Sequence, residues 1–320
     1  MTRKTVSVIL PVRSDRRVFA AVESILACAD EAARLELIVI DNASTPEFSS
    51  ELQARLAGEV TILQEAEPGV YGARNRGVAA AAGEVILFTD ADCVVRRGWV
   101  ASALAALESA DIVQGYAGSA GDSVMQRLIQ RRYEAHLRKL VPGRPTECDT
   151  RNLGARRAVF DALRFEDRYR RVGDTEFGLR AEAAGFTVAY EPSMRVDHEH
   201  DEDLALFAAK QVCHGWGAQR LMQTHPEVEW HGGHLKAVAR VSKRLEPWRG
   251  TVLLARACTR GAVLNARALQ RLAPRLPEAA GFWWLSAIDK LAALGGHLSY
   301  RPGAPEPSPS EIVGRTLLRD

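Results

Sequence analysis

The sequence has few of the features that define several large classes of protein. Its five cysteines are far apart and form no CxxC pair, which argues against a zinc site or a redox dithiol and favours a reducing cytosol. An uncharged apolar run near the C-terminus, residues 279–288, has about half the length that a membrane-spanning helix needs. The first residues enter a strand pattern directly, without a signal-peptide core, so the expected location is the cytoplasm.

Lysine is also scarce, with 6 residues against 36 arginines, but codon usage in a GC-rich genome explains this bias without a binding role. We therefore expect no nucleic-acid partner. The position of the charge is more informative, because residues 204–320 hold 16 basic and 8 acidic side chains while the whole chain has a formal net charge of only +2. With 320 residues, 47% hydrophobic and 26% charged, the chain predicts a globular protein of one large domain or two ordinary ones.

Short apolar runs rich in β-branched residues alternate with helical patterns in the N-terminal part of the chain. The predicted strands cover residues 5–12, 35–41, 60–63 and 84–89, and the predicted helices cover residues 20–29 and 72–82. This alternation predicts an α/β fold with a mainly parallel sheet and helices on both faces. The later pattern predicts a strand at 112–115, a helix at 123–140, a loop at 141–148, a helix ending at 184, a strand at 187–190 and mostly helices after residue 200.

Polar and turn residues follow three of these strands. They are Pro11, Val12 and Arg13 at the first strand, Asp41 and Asn42 at the second, and Asp90, Ala91 and Asp92 at the fourth. In open parallel sheets the ligand lies beyond the carboxyl ends of the strands, so these residues are expected at one site. Two carboxylates in such a crevice are costly unless a cation compensates them, which favours Mg²⁺ or Mn²⁺ bridging to a diphosphate. A solvated turn with Asx hydrogen bonds is the alternative.

Five short motifs also occur in a fixed order along the chain. They are Val-Ile-Leu-Pro-Val12, Val-Ile-Asp-Asn-Ala-Ser-Thr45, Gly72-Ala-Arg-Asn-Arg-Gly77, Gly83-Glu-Val-Ile-Leu-Phe-Thr-Asp-Ala-Asp92 and Gly173-Asp-Thr-Glu-Phe-Gly-Leu-Arg180. Together they resemble a family 2 glycosyltransferase of the GT-A fold. The resemblance implies inverting transfer of a sugar from a nucleoside diphosphate sugar with Mn²⁺ or Mg²⁺. It also implies a GT-A nucleotide-sugar-binding and catalytic domain at 1–220, followed by a basic, mostly helical extension at 221–320.

The same resemblance assigns the donor side of the site. It places Pro11 and Asp41 at the base and ribose, Val12 and Arg13 among the nucleotide-binding or donor-binding residues, and Arg74 beside the diphosphate. It places Asp90 and Ala91 toward the nucleoside or sugar and Asp92 on the metal. Many family members have a second aspartate where this chain has Asn42. Asp41 as a turn residue, and Arg74 with Asn75 as the polar face of a helix start, are the alternatives.

The catalytic base that the resemblance implies is Asp174. The segment Gly173-Asp-Thr-Glu176 resembles the family's Glu-Asp-x-Asp/Glu, with Gly173 in place of the usual Glu. An inverting transfer needs a base that takes the proton of the attacking hydroxyl, and a carboxylate within hydrogen-bond reach suffices. Asp174 as the N-cap of the following helix is compatible with that role. Glu176 is expected either to orient Asp174 or to face solvent.

Other residues carried over from the resemblance complete the site. His198, in Val196-Asp-His198, is the implied second metal ligand, and His200 is the competing one. Asn152, Arg157 and Glu176 are expected on the acceptor or donor-sugar side, with a helix cap as the alternative for Asn152. The segment His214-Gly-Trp-Gly217 is expected to form either a loop that closes over the donor or a kink in a helix.

Two other functions and the role of the C-terminal part stay open. A nucleotidyltransferase would usually carry a Gly-rich basic loop after the first strand, and Pro11-Val-Arg-Ser-Asp15 lacks one. A non-catalytic nucleotide-sugar-binding protein is favoured only by Gly173. The acceptor is open among polysaccharide, lipid-linked and small-molecule classes. The five tryptophans of the basic C-terminal part fit either a helical core or peripheral contact at the inner face of the membrane: Trp216, Trp230, Trp248, Trp283 and Trp284.

Overall fold

The computed structural model describes residues 4–28, 33–137, 148–200, 203–226 and 251–317. Trp230, Trp248 and most of the predicted loop at 141–148 lie outside these residues. The chain forms two compact units, the first made of Met1–Ala120 and Val141–Glu199 and the second of Gly121–Leu140 and His200–Asp320. The second unit thus begins well before residue 220, where the sequence places the domain boundary, and it includes a segment from the middle of the chain.

The first unit contains an eight-stranded sheet in the order β3-β2-β1-β4-β7-β6-β8-β5. The strands are β1 Lys4–Val12, β2 Ala33–Asn42, β3 Thr61–Glu65, β4 Val85–Thr89, β5 Cys93–Val95, β6 Ile112–Ser119, β7 Asn152–Arg156 and β8 Val188–His198. Strands β1 to β4 are mutually parallel, as predicted. The other half is mixed, because β7 runs antiparallel to β4 and β6, and β5 antiparallel to β8.

Eleven α-helices occur in the described residues. They are α1 Val18–Ala27, α2 Pro46–Leu56, α3 Val70–Ala80, α4 Trp99–Ala106, α5 Val124–Leu137, α6 Arg157–Ala162, α7 Gly173–Ala183, α8 Leu204–Thr224, α9 Thr251–Leu272, α10 Glu278–Ser299 and α11 Pro309–Leu317. The predicted α/β class, with helices on both faces of the sheet and a C-terminal helical region, is confirmed. Among the residues that the structure describes, no helix is both long enough and apolar enough to cross a bilayer.

The core of the first unit explains why α3 lies where it does. Strand β4 is buried along its whole length, and its Phe88 packs against Phe160 and Phe165 with ring centroids 5.4 and 5.5 Å apart. A Cβ at Gly77 of α3 would lie 2.6 Å from Ile9 of β1, so only glycine lets the helix approach the sheet this closely. Close packing of α3 fixes the side chains that it presents beyond the strand ends.

The second unit is a helical assembly of α5 and α8 to α11 around its own apolar core. Gly215 of α8 faces the backbone of Ala293 in α10 so closely that a Cβ would overlap it. The segment His214-Gly-Trp-Gly217 therefore lies inside a packed helix, and the prediction of a closing loop is wrong. Trp216 is buried, Trp284 packs against the core, and Trp283 is 69% exposed.

Candidate active site

The adjacent strands β2, β1 and β4 are parallel, so their carboxyl ends lie at one edge of the sheet. The loop after β1 turns through Ser14, whose φ is 49°. The Ser14 N–H donates to Ser44 Oγ at 2.8 Å and the Thr45 N–H donates to Ser14 Oγ at 3.0 Å, which ties this loop to the one after β2. Three predicted donor-side residues lie at the end of β1: the buried Pro11 and Val12 and the exposed Arg13.

Asp41 is fully buried at the end of β2. Its Oδ2 accepts hydrogen bonds from Ser49 Oγ at 2.5 Å and Gln64 Nε2 at 3.0 Å, and its Oδ1 accepts one from the Ser44 N–H at 3.3 Å. Burial raises the pKa of Asp41, but these hydrogen bonds together outweigh burial and leave the pKa below its ordinary value. The carboxylate is ionised and well partnered within the protein, and its contact with a nucleoside stays a prediction.

Asn42 has a structural reason to replace an aspartate. Its Nδ2 donates to the Glu67 carbonyl at 2.9 Å, and its Oδ1 accepts from the Gly69 N–H at 3.1 Å. These two bonds hold the segment that leads into α3. An ionised aspartate could not donate the first of them.

Arg74 of α3 is a buried cation at this edge, with 2% of its surface exposed. Its Nη2 donates to Asp90 Oδ1 at 2.6 Å, whereas its Nε has no hydrogen-bond partner in the described residues. The alternative of an exposed polar helix face is therefore wrong for Arg74. The neighbouring Asn75 joins α3 to the backbone of Phe165. Its Nδ2 donates to the Phe165 carbonyl at 2.8 Å, and its Oδ1 accepts from the Phe165 N–H at 3.0 Å. A buried guanidinium with an unmet donor suits an anionic ligand.

Asp92 and His198 form the candidate metal centre. His198 Nε2 lies 3.3 Å from Asp92 Oδ2 because β5 pairs antiparallel with the end of β8, which puts Cys93 opposite His198. The Arg17 guanidinium lies 3.7 Å from the same carboxylate oxygen. Burial raises the pKa of Asp92, but the hydrogen bond and charge of His198 and the charges of Arg17 and Arg151 outweigh it and hold the pKa well below the usual range.

The donor set at this centre fits a divalent metal such as Mn²⁺. Ligand atoms of Asp92, Cys93 and His198 all lie within 4.8 Å of one another. Burial and the charge of Asp92 raise the pKa of the Cys93 thiol well above its usual value, and soft sulfur suits Mn²⁺ less well than a carboxylate oxygen does. An ionised carboxylate and an imidazole suit Mn²⁺.

His200 is not the competing ligand that the sequence allows. It is buried in the second unit, and its Nε2 lies 3.0 Å from Gln130 Oε1 of α5 in a hydrogen bond. One ring nitrogen of His200 is thus engaged by an amide, and the group of potential metal ligands around Asp92 in the described residues contains His198 and not His200. Of the two histidines, the structure brings only His198 to Asp92.

Asp149 and Arg151, which precede β7, are not among the predicted site residues. The Arg151 Nε donates to both oxygens of Asp149 at 3.0 Å, and its Nη2 also donates to Asp149 Oδ2. Burial raises the pKa of Asp149, but the nearby Arg151 outweighs it and lowers the pKa. The only sequence signal was their position just before the predicted Asn152 segment. This ion pair contributes charge to both Asp92 and Asp174.

Asp174 lies in the first turn of α7. The helix begins at Gly173 after Val172, which has a left-handed φ of 57°, so the prediction of Asp174 as the N-cap is wrong. Its Oδ1 accepts from Tyr71 Oη at 3.1 Å and from the Thr175 N–H at 3.0 Å. Burial and the charge of Asp149 raise the pKa of Asp174 above its ordinary value. A carboxylate with a raised pKa is a stronger proton acceptor, which suits a general base.

Glu176 stabilises α7 rather than facing solvent. Its side chain is buried, and its two oxygens accept from Arg180 Nε at 2.6 Å and Nη2 at 2.8 Å. Arg180 Nη2 also donates to the Arg164 carbonyl at 2.6 Å. The expectation of a solvent-facing Glu176 is therefore wrong, and its side chain joins α7 to the segment before it.

Asn152 holds the sheet together. It begins β7 opposite Thr89, at the site edge of β4, but its side chain is fully buried. Its Nδ2 donates to the carbonyls of Tyr116 at 2.9 Å and Met194 at 2.7 Å, and its Oδ1 accepts from Trp99 Nε1 at 2.8 Å. These bonds use its amide hydrogens and oxygen, so neither the predicted contact with a sugar nor the helix cap is correct.

Arg157 lies at the opposite edge of the sheet. Because β7 runs antiparallel to β4, Arg156 pairs with Val85 at the start of β4, and Arg157 follows it. Its Nε donates to the Gly83 carbonyl and its Nη2 to the Ala81 carbonyl, both at 2.6 Å. The prediction of Arg157 on the acceptor or donor-sugar side is therefore wrong.

Comparison with known protein sequences identifies relatives of this chain. Residues 7–164 match the sequence model of the family described as Glycosyl transferase family 2. The pre-mycofactocin glycosyltransferase of Mycobacterium tuberculosis is 25% identical over 247 residues, which cover 71% of this chain and 49% of that protein. The chain thus spans about half the length of the curated relatives it matches.

Solved structures of similar fold include two complexes that contain Mn²⁺. The mannosyltransferase PcManGT from Pyrobaculum calidifontis, in complex with GDP-Man and Mn²⁺, matches with a TM-score of 0.62 and 17% identity over 92% of this chain and 86% of that one. GalNAc-T7 with UDP, GalNAc and Mn²⁺ matches with a TM-score of 0.50 and 17% identity, over 62% of this chain and 44% of that one. At this identity the likeness shows a shared fold.

Proposed function

The chain carries a glycosyltransferase family 2 domain, and from this premise we propose that it transfers a sugar from a nucleoside diphosphate sugar to an acceptor hydroxyl with inversion at the anomeric carbon. The observation that carries the proposal is the 3.3 Å approach of His198 to Asp92 at the strand edge. A carboxylate just before β5 and an imidazole at the end of β8, together with the buried Arg74, give this edge the groups that a metal-bound diphosphate requires. The Mn²⁺ complexes of the two neighbours of similar fold support a divalent metal here.

In this proposed reaction, some of the site residues act on the leaving diphosphate and Asp174 acts on the acceptor hydroxyl. Asp92 and His198 would hold Mn²⁺ or Mg²⁺, which when bound stabilises negative charge on a departing diphosphate. Arg74 provides a second positive charge from α3, already oriented by Asp90. Asp174 accepts the proton of the acceptor hydroxyl as the hydroxyl attacks the anomeric carbon, and its raised pKa favours that transfer.

A panel experiment tests the proposal. Purified protein is incubated with nucleoside diphosphates and nucleotide sugars with and without Mn²⁺, and both thermal shift and release of nucleoside diphosphate are measured. Mn²⁺-dependent stabilisation followed by release of nucleoside diphosphate supports a glycosyltransferase. Release of pyrophosphate from a nucleoside triphosphate would instead indicate a nucleotidyltransferase, and binding without turnover would indicate a binding protein.

For the acceptor, we propose a lipid-linked or envelope molecule reached by peripheral contact of the second unit with the inner face of the membrane. The support is the exposed face of α9, which carries Arg256, Arg260, Leu264, Arg267 and Arg271, together with Leu253, which is 70% exposed. Helical periodicity places these six residues in one stripe, and α9 contains no acidic residue. A basic and apolar helix face of this kind suits anionic headgroups.

A further inference from the structure

The hydroxyl of Tyr71 in α3 contacts both the backbone at the start of α7 and the side chain of the candidate base, Asp174. The tyrosine is 4% exposed. Its hydroxyl donates to Asp174 Oδ1 at 3.1 Å and accepts from the Gly173 N–H at 3.0 Å. A phenol has one proton to donate, and here that proton goes to the carboxylate. The geometry thus fixes both the direction of the hydrogen bond and the position of the backbone that carries Asp174.

The Tyr71 ring packs so closely against Gly173 that no side-chain atom fits at position 173. A Cβ at position 173 would lie 2.6 Å from Tyr71 Cε2, 2.8 Å from Cδ2 and 2.9 Å from Cζ. These atoms belong to a rigid ring that is 4% exposed and also contacts the Phe165 ring, with ring centroids 5.7 Å apart, so the ring is closely packed. A larger residue at position 173 would therefore overlap the Tyr71 ring.

We propose that Tyr71 is a positioning residue for the base Asp174, and that Gly173 is glycine in this chain because it admits the Tyr71 ring. The inference rests on the proposed role of Asp174 in glycosyl transfer. It assigns a purpose to the one position of the Gly173-Asp-Thr-Glu176 segment that departs from the family pattern. It also makes α3 the common support of the base and of Arg74, whose guanidinium lies 5.4 Å from the Tyr71 ring centroid.

The charges around Asp174 set the sign of the expected effect. Arg74 from α3 and Asp149 from the segment before β7 are the charged groups that act on Asp174, and Thr150 donates to its Oδ2 from Oγ1 at 3.4 Å. Burial and the charge of Asp174 raise the pKa of Tyr71 well above its ordinary value, so it remains a donor at all working pH values. Its donated bond stabilises the ionised base, and loss of that bond must raise the pKa of Asp174 further.

The first test replaces the hydroxyl and keeps the ring. In Tyr71→Phe we expect turnover to fall about tenfold or more and the acidic limb of the pH–rate profile to move to higher pH, while the KM for the donor changes less than about threefold. Tyr190→Phe, which removes a hydroxyl from a partly exposed tyrosine of β8, is the control and should change neither. An unchanged acidic limb in Tyr71→Phe would overturn the positioning role.

The second test measures the match between ring and glycine without any activity assay. We expect Gly173→Ala to lower the thermal midpoint strongly in the wild-type background and much less in Tyr71→Ala, because the smaller side chain frees the volume that the new methyl needs. An equal loss in both backgrounds would overturn the pairing. Asp174→Asn separates the two levels of inference. If that variant keeps its turnover, the proposed base is wrong; if it is inactive while Tyr71→Phe behaves as wild type, only the positioning role fails.

Discussion

The Asp92 carboxylate lies 3.3 Å from the His198 imidazole, although the two residues are far apart in the sequence. The antiparallel pairing of β5 with β8 creates this approach, since β5 follows Asp92 directly and β8 ends at His198. Two short-range patterns, Asp-Ala-Asp and Val-x-His, are thereby brought together by one pair of strands. The metal centre therefore depends on the sheet as much as on the residues themselves.

Replacing either metal-centre residue should remove metal-dependent donor binding. In Asp92→Asn and His198→Ala we expect Mn²⁺-dependent affinity for a nucleoside diphosphate to fall about 100-fold or more, since loss of even an outer-shell partner costs 10- to 100-fold. Isothermal titration with and without Mn²⁺ measures this. Glu108→Gln, at an exposed carboxylate after α4, is the matched control. Wild-type Mn²⁺ dependence in Asp92→Asn would place the metal elsewhere.

Arg74 should contribute to binding of the diphosphate rather than of the nucleoside. Loss of its charge-assisted hydrogen bonds in Arg74→Ala should weaken binding of a nucleoside diphosphate by roughly 10- to 100-fold, with little change for the free nucleoside. Arg76→Ala removes an exposed arginine from the same helix and should leave both affinities unchanged. Equal losses for diphosphate and nucleoside in Arg74→Ala would show that Arg74 acts only through the fold.

The base should be visible in the pH dependence of turnover. Asp174 must be ionised to accept a proton, and its pKa is raised by burial and by Asp149. Activity should therefore be lost as the pH falls through a value above that of an ordinary aspartate. In Asp174→Asn we expect donor binding within a few fold of wild type and turnover lowered by about 100-fold or more. An acidic limb at the same pH in a weakly active Asp174→Asn would assign the limb to another group.

Asn152 should affect stability and not donor recognition. Its truncation in Asn152→Ala leaves the buried carbonyls of Tyr116 and Met194 and the Trp99 indole without their partner. Unsatisfied buried polar groups are costly, so we expect the thermal midpoint to fall by about 5 °C or more. Gln53→Ala, at an exposed position of α2, should change the midpoint little. A large rise in donor KM without loss of stability would restore the predicted sugar contact.

The strand-end part of the site was predictable because it follows from local patterns. The ends of β1, β2 and β4 meet wherever three parallel strands are neighbours, and short apolar runs reveal such strands. The interactions of Asn152 and Arg157 were not predictable. Their partners are backbone carbonyls, which every residue carries and no motif marks. Tyr71 was missed for a similar reason, since its contact with Asp174 joins two helices that are remote in sequence.

The starts of two helices also differ in how far the sequence indicates them. Thr45 caps α2 by accepting from the Phe48 N–H at 3.4 Å, and Pro46 occupies the first turn. The sequence therefore contains a complete start signal for α2, although no helix is predicted between the strands at 35–41 and 60–63. At α7 the opposite occurs. An apparent cap residue, Asp174, lies inside the helix because a left-handed Val172 sets its start. A β-branched residue seldom adopts that conformation, so the sequence favours the wrong boundary.

The basic stripe of α9 should bind anionic vesicles. Each arginine near an anionic surface contributes about 1 kcal/mol, so the double reversal Arg256→Glu and Arg267→Glu should weaken binding about tenfold or more. Co-sedimentation with phosphatidylcholine vesicles containing phosphatidylglycerol, at low and high salt, measures this, and binding should weaken as salt screens the attraction. The double variant Arg76→Glu and Arg97→Glu makes the same charge change at exposed arginines of the first unit and should bind like wild type. Leu253→Asp should weaken binding even at low salt if the stripe inserts its apolar residues. Absence of vesicle binding by the wild-type protein at low salt would leave α9 as a solvated helix face and make an acceptor in solution the better proposal.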